Sequence, residues 1–304
     1  MNRRNFIQNT ALTTALTTIG GFPLDGLLTD KTKRLTVLHT NDVHSHIDPF
    51  PADHSRNPNK GGVARRAALI QKIRSENEHV LVLDAGDIFQ GTPYFNYYGG
   101  ELEFKLMSMM GYDLATLGNH DFDNGIDGFY AQLPHANFEF VSANYDFKNT
   151  VLDGIVKPYK IFKKGGLKIG VFGLGIELNG LVDKKLYKET VYNNPIEIAN
   201  DVTKQLKETE KCDLVICLSH LGFKYKTEPD KVSDIILAQK TSNIDLIIGG
   251  HTHTFLDKPV IETNLEGKEV LINQVGCFGL NVGRIDFIVE ESKIQTETKV
   301  LSVG

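Results

Sequence analysis

The sequence predicts an α/β protein with two sheets rather than one, and three observations carry that reading. Short β-branched apolar runs recur, each stopping at a polar cluster: RLTVLHT before NDVHSH, HVLVLDA before GD, DLATL before GNHD, DLVICL before SHLG, and IDLIIG before GHTH. Near-continuous apolar runs of this length read as strands buried on both faces. Stretches with apolar residues at helical spacing lie between some of them, GVARRAALIQKIRSE (62–76) and PIEIANDVTKQLKET (195–209); strand–helix–strand alternation is the α/β pattern. Later runs, KIGVFGLG, EVLINQVG and VGRIDFIVE, lie closer together with fewer helices between them. They predict a second sheet in place of a plain doubly wound one.

The first residues, MNRRNFIQNTALTTALTTIGGFPL, stand apart from this pattern. A basic start is followed by a weakly apolar, charge-free, Thr-rich segment, too short and too polar for a stable membrane span. Arg3-Arg4 followed by Asn-Phe-Ile resembles a twin-arginine export signal, which implies an exported protein of the periplasm or cell envelope. Residues 1–33 are therefore expected to be export signal and linker, with the fold starting near Arg34 and running to Gly304.

The 304 residues are 41% hydrophobic and 23% charged, the balance of a soluble globular protein with a sizeable core. A net charge of −5 lacks the basic footprint of a duplex nucleic-acid binder. The three cysteines form no CxxC pair, which argues against a zinc knuckle or thioredoxin-like motif. Cys212 and Cys217 read as one strand, with side chains on opposite faces about 16 Å apart. A disulfide needs Cα atoms within about 7 Å, so three buried, unpaired thiols are expected.

The polar clusters all fall just after strands, where open α/β sheets collect ligands. Turn residues alone would scatter over both strand ends. Histidine, Asp or Asn at five successive strand C-termini points instead to metal binding and proton transfer. The candidates are Asp42 and His44 (DxH), Asp87 (GD), Asn119 and His120 (GNHD) with Asp123 behind them, His220 (SH), and His251 and His253 (GHTH). Phosphate-ester hydrolysis requires a nucleophilic hydroxide and stabilised charge on three phosphoryl oxygens, and two divalent ions ~3.5–4 Å apart do both. His251 and His253, two apart in an extended segment, project to one side. Mixed imidazole, carboxylate and amide ligands suit Mn, Zn, Fe or Co.

In this order and spacing the set resembles the calcineurin-like metallophosphoesterase superfamily, and within it the catalytic domain of 5′-nucleotidases. The resemblance runs from about Leu35 to Val303. It is closest in LDAGDIFQGTPYFNYYGGELEFKLMSMMGYDLATLGNHDFDNG and includes QVGCFGLNVGRIDF. It implies a four-layer α/β/β/α sandwich of two mixed sheets flanked by helices, and two divalent transition-metal ions. Asp42, His44, Asp87 and His253 would hold one ion, and Asp87, Asn119, His220 and His251 the other. Asn119 and His120 would meet the substrate phosphate. His120 would stabilise developing charge and assist the leaving oxygen, with Asp123 hydrogen-bonding its imidazole. The family shows Glu or Asp where Asp121 stands. His39, His46, His54, His79 and His135 read as structural or surface groups.

The expected function is a two-metal phosphoric ester hydrolase, a 5′-nucleotidase-like phosphomonoesterase releasing phosphate from nucleotides. The alternatives are a phosphodiesterase on 2′,3′-cyclic nucleotides, a broad-specificity phosphatase, and a non-enzymatic binding protein on a decayed site. The complete ligand set with His120 and Asp123 argues against the last. Nucleotide-cleaving members carry a C-terminal substrate-binding domain that grips the base. That domain is expected to be absent from this chain, and a separate polypeptide is a candidate source of it.

Overall fold

Along each central strand, alternate side chains enter different layers, because successive Cβ atoms point to opposite faces. The computed structural model describes residues 32–290 and 293–304; the Arg3-Arg4 segment, expected to be an export signal, lies outside them. The elements run in chain order β1 (Lys33–Thr40), α1 (Val63–Glu76), β2 (Val80–Asp84), α2 (Pro93–Tyr98), α3 (Glu101–Met110), β3 (Leu114–Ala115), α4 (Gly125–Gln132), β4 (Glu139–Phe140), β5 (Tyr145–Asp146), β6 (Tyr159–Lys164) and β7 (Leu167–Leu174). Then follow α5 (Lys184–Tyr187), β8 (Val191–Tyr192), α6 (Pro195–Lys204), β9 (Leu214–Ser219), α7 (Asp234–Lys240), β10 (Leu246–Gly249), β11 (Val260–Thr263), β12 (Glu269–Asn273), β13 (Asn281–Glu290) and β14 (Lys293–Ser302).

Two six-stranded sheets result, ordered β14-β13-β1-β2-β3-β4 and β11-β12-β10-β9-β7-β6, with β5 and β8 as a separate pair. The strands β1 to β4 are mutually parallel, as are β7, β9, β10 and β12, and the outer strands β13, β14, β6 and β11 pair antiparallel. Both sheets are mixed, as expected.

Three apolar layers hold this arrangement. Leu81 and Leu83 of β2 meet Leu214, Ile216 and Leu218 of β9 between the sheets. Val80 and Val82 face the other way, onto Ile70 and Ile73 of α1 and Phe104 and Met107 of α3. Val215 and Cys217 face α6 and α7 through Ala199, Leu237 and Ala238. The order helix, sheet, sheet, helix is the four-layer sandwich. Truncating one of these fully buried leucines to alanine costs about 2–5 kcal/mol.

Several local readings need correction. KIGVFGLG and EVLINQVG do enter the second sheet, together with DLVICL and IDLIIG, but VGRIDFIVE returns to the first and pairs antiparallel with β1. Period two reads burial along a strand and says nothing of which sheet it joins. The DLATL run is strand only at Leu114–Ala115. Helix α6 begins as its sequence suggests, with Pro195 in the first turn and the Asn194 side chain accepting from Ile196 N (3.0 Å). Its last part, Gln205–Thr209, is a wider π-helical turn. All three cysteines are buried and free. Cys212 precedes β9 instead of lying in it, and shares one core layer with Cys217 instead of facing away from it. Among the described residues no helix is long and apolar enough to cross a membrane.

Candidate metal centre

The parallel strands of both sheets end at one edge, where the loops take left-handed backbone. Asp42 (φ 50°), His44 (49°), Asp87 (56°), His251 (72°) and His253 (50°) all lie there. Non-glycine residues rarely adopt this region, at about 1–3 kcal/mol each, and such strain clusters at functional sites. Five of the seven expected ligands are held this way by ties between loops. His44 N donates to Asp87 O (3.0 Å), and Phe278 N to Asp42 O (2.7 Å). His251 N donates to both oxygens of Asp42 (2.9 and 3.1 Å). The glycines of the motifs make room: a Cβ on Gly118 would stand 2.2 Å from Asp87 Oδ1, and one on Gly250 would stand 2.8 Å from His220 Nδ1.

The side chains converge as two groups sharing one member, Asp42–His44–Asp87–His253 and Asp87–His220–His251. Within them His44 Nε2 lies 2.9 Å from His253 Nε2 and 3.7 Å from Asp87 Oδ2. His253 Nε2 is 3.4 Å from Asp42 Oδ1, and His220 Nε2 is 3.1 Å from Asp87 Oδ2. Asn119 joins the second group, its Oδ1 2.9 Å from His251 Nδ1. The outer nitrogens are anchored: His44 Nδ1 donates to Phe89 O (3.2 Å) and His220 Nδ1 to Ala85 O (2.7 Å). Such bonds orient a ligating imidazole and leave Nε2 for the metal.

Charge points the same way. Asp42 and Asp87 are fully buried, and among the described residues their ion-pair partners are all histidines. Burial opposes charge on His220, yet the Asp87 and Asp42 carboxylates push it up to about 10. The bond to Asp42 raises His253 to about 10 as well. Burial, then the His220 charge, pulls His251 down to about 4. Burial also resists ionisation of Asp87, but His220, His44 and His120 hold its carboxyl well below the usual range. A site of buried carboxylates and inward imidazole nitrogens draws positive charge, and its donor set fits a pair of divalent cations.

His120 is not in either group. Its ring centre lies 5.3 Å from that of His44, and its Nδ1 donates to Asp123 Oδ2 (2.9 Å), a bond that raises its pKa against the effect of burial. The His120 and His253 side chains are 36% and 37% exposed, whereas those of His44, Asp87 and His220 are at most 4% exposed. The site therefore opens beside His120. Among the other histidines, His39 is buried against Asn273 (3.0 Å) and His46 stacks on Phe278 (4.2 Å). None of the five belongs to a donor group. Sequence reasoning passed over Asp121, whose buried carboxyl is set among backbone N–H groups of two motif loops; an acid flanked by Asn119, His120 and Asp123 was the available signal. Burial and the Asp87 charge push that carboxyl up to about 7, against the pull of the Gly118 N–H, the His220 charge and the Phe89 N–H.

Strand-end carboxylates and imidazoles, gathered in two sets around a shared aspartate between stacked mixed sheets, define a candidate two-metal site. The chain belongs to the calcineurin-like phosphoesterase family, whose model matches residues 35–255. It is 36% identical to the trifunctional nucleotide phosphoesterase protein YfkN of Bacillus subtilis (strain 168), over 92% of this chain and 20% of that protein. It is 34% identical to the snake venom 5′-nucleotidase of Gloydius brevicauda, over 84% of this chain and 45% of that one. Among solved structures, the 5′-nucleotidase precursor of Thermus thermophilus superposes with a TM-score of 0.80 at 32% identity, covering 89% of this chain and 54% of the other. The chain thus spans between a fifth and a half of the curated relatives it matches.

Proposed function

We propose that this chain is a two-metal phosphoester hydrolase that releases phosphate from nucleotides in the manner of a 5′-nucleotidase. The observation that carries the reading is the pair of donor groups sharing Asp87, with the His120–Asp123 pair at their open side. Asp42, His44, Asp87 and His253 hold one ion, and Asp87, Asn119, His220 and His251 the other, with Mn, Zn, Fe or Co as candidates. When bound, the ions activate water as a nucleophile and neutralise charge on the phosphoryl oxygens. Asn119 and His120 orient the phosphate. His120, with Nδ1 committed to Asp123, presents Nε2 to the phosphoryl or leaving oxygen, and Asp123 keeps the ring in that tautomer.

Residues 34–304 serve as the catalytic unit, and residues 1–33 as a twin-arginine export signal delivering it to the periplasm or cell envelope. Contacts to the base come from a further domain, in the same protein or on a separate polypeptide. The names of the relatives support nucleotides as the substrate class. A second reading is hydrolysis of diesters such as 2′,3′-cyclic nucleotides by the same site, since the word phosphoesterase in one of these names covers monoesters and diesters alike.

The test is kcat/KM of residues 34–304, loaded with Mn, for AMP, glycerol phosphate and bis-p-nitrophenyl phosphate. Remote binding energy lowers the barrier only where a site grips the remote group. AMP should therefore exceed glycerol phosphate by no more than about tenfold, roughly 1.4 kcal/mol. Hydrolysis of none of the three, with Mn, Zn, Fe or Co, would sink the proposal. A large preference for the diester would favour the second reading, and a thousandfold preference for AMP would place a base site within these residues.

A further inference from the structure

We propose that Asp121 is a positioning residue that fixes the two metal-site loops against each other, an inference that rests on the function proposed above. Its carboxyl is fully buried and offers no atom to either donor group. Four backbone N–H groups converge on it instead. Oδ1 accepts from Ile88 N (2.9 Å) and Phe89 N (3.2 Å), and Oδ2 accepts from Asp87 N (3.0 Å) and Gly118 N (2.8 Å). Three of these donors belong to the loop carrying the shared ligand Asp87, and the fourth to the loop carrying Asn119 and His120. The second loop answers in kind, since His120 N donates to Asp87 Oδ1 (2.8 Å). Each loop thus gives a backbone N–H to the carboxylate of the other.

The chemistry demands an acceptor on both oxygens. Four converging N–H groups leave no place for a carboxyl proton, and only the acceptor-only carboxylate, with about four lone-pair sites, satisfies them all. Asparagine has nearly the same shape but would turn an NH₂ group toward two of the four N–H groups. The loops would part to relieve that conflict, moving Asp87 relative to Asn119 and His120. Loss of a group that orients metal ligands reduces metal affinity or activity by about 10–100-fold, and a misplacement of about 1 Å at a reacting centre is worth about 10² in rate.

The experiment compares wild type, Asp121→Asn and Asp121→Glu in the full chain. Mn affinity is measured by equilibrium dialysis, and kcat and KM with p-nitrophenyl phosphate, at a temperature where circular dichroism shows each variant folded. Asp121→Asn should weaken Mn binding by about 10–100-fold and lower kcat more than it changes KM, while Asp121→Glu, which keeps an acceptor-only carboxylate, should recover most of both. Wild-type Mn affinity in Asp121→Asn, or equal losses in Asn and Glu, would overturn the proposal. A purely structural role would lower the melting temperature and leave Mn affinity unchanged. Should Asp121→Asn not fold, amide exchange in the wild type decides: Asp87, Ile88, Phe89 and Gly118 N–H should be protected, and free exchange at these positions would overturn it. A wild type that binds Mn yet hydrolyses no phosphate ester overturns the proposed function instead.

Discussion

Asp87→Asn should remove one ion and weaken the other, and the two donor groups set the size of each effect. Asp87 is the sole carboxylate of the group with His220 and His251, whereas the group with His44 and His253 also contains Asp42. Without Asp87 the first of these holds only neutral donors. A unit charge 4 Å from a carboxylate is worth about 4 kcal/mol at an effective dielectric of 20, about three powers of ten in Kd. The Asp87–His220–His251 ion should therefore bind at least about a thousandfold more weakly, and the other should lose less because Asp42 remains. His44→Gln is the contrast, since it leaves both carboxylates in place and should weaken one ion only. Mn stoichiometry and affinity by equilibrium dialysis, with elemental analysis of protein purified without chelator, measure both. Two ions at wild-type affinity in Asp87→Asn, or losses matching those of His44→Gln, would refute the shared-ligand argument.

Three further outcomes follow from the same geometry. His120→Ala should keep its metal and lose about 10²–10⁴ in kcat for alkyl phosphates, but less for p-nitrophenyl phosphate, whose leaving group needs little protonation; equal losses on both would argue against leaving-group assistance. Gly118→Ala, whose new Cβ meets Asp87 Oδ1 at 2.2 Å and the Asp87 backbone N at 2.5 Å, should destabilise the fold by about 1–3 kcal/mol and reduce Mn affinity, checked by urea denaturation and dialysis. Burial holds His39 neutral down to about 3, against 6.5 when unfolded; below pH 6.5 the unfolded chain gains a proton that the folded chain does not, so stability falls toward acid by about 1.4 kcal/mol per unit. His39→Gln keeps a partner for Asn273 and removes the proton, so between pH 6.5 and 4.5 it should gain about 2 kcal/mol on the wild type in chelator-treated samples; parallel pH curves would refute this.

Much of the site was legible because its chemistry lies in side chains that follow strand ends. Asp42, Asp87, Asn119, His220 and His251 each come within a few residues of an apolar run, and parallel strands in two stacked sheets bring such positions to one edge. The strand runs were legible for the same reason that they are buried. What escaped depended on partners distant in sequence. VGRIDFIVE pairs with β1 across the chain, which no local periodicity encodes. Leu114–Ala115 is short because its neighbours end there: Ala115 pairs with Asp84 and Phe140, the last residues of β2 and β4. Asp121 was visible as a letter in GNHD, but its role lies in backbone N–H groups at positions 87–89 and 118, and no side-chain pattern reports those.

The composition of each donor group has a mechanical consequence. Asp42, His44 and Asp87 follow strands of the first sheet, and His220, His251 and His253 follow strands of the second. Both groups draw on both sheets, so an ion in either one would be a rivet through the sandwich, and a shift of one sheet past the other would break coordination at both sites together. Ion binding then adds to stability by mass action. Chelator should soften the sheet-to-sheet seam around Leu81, Leu83, Ile216 and Leu218 before it loosens either helical face. Measured metal affinity becomes a gauge of how faithfully the two halves of the sandwich stay in register.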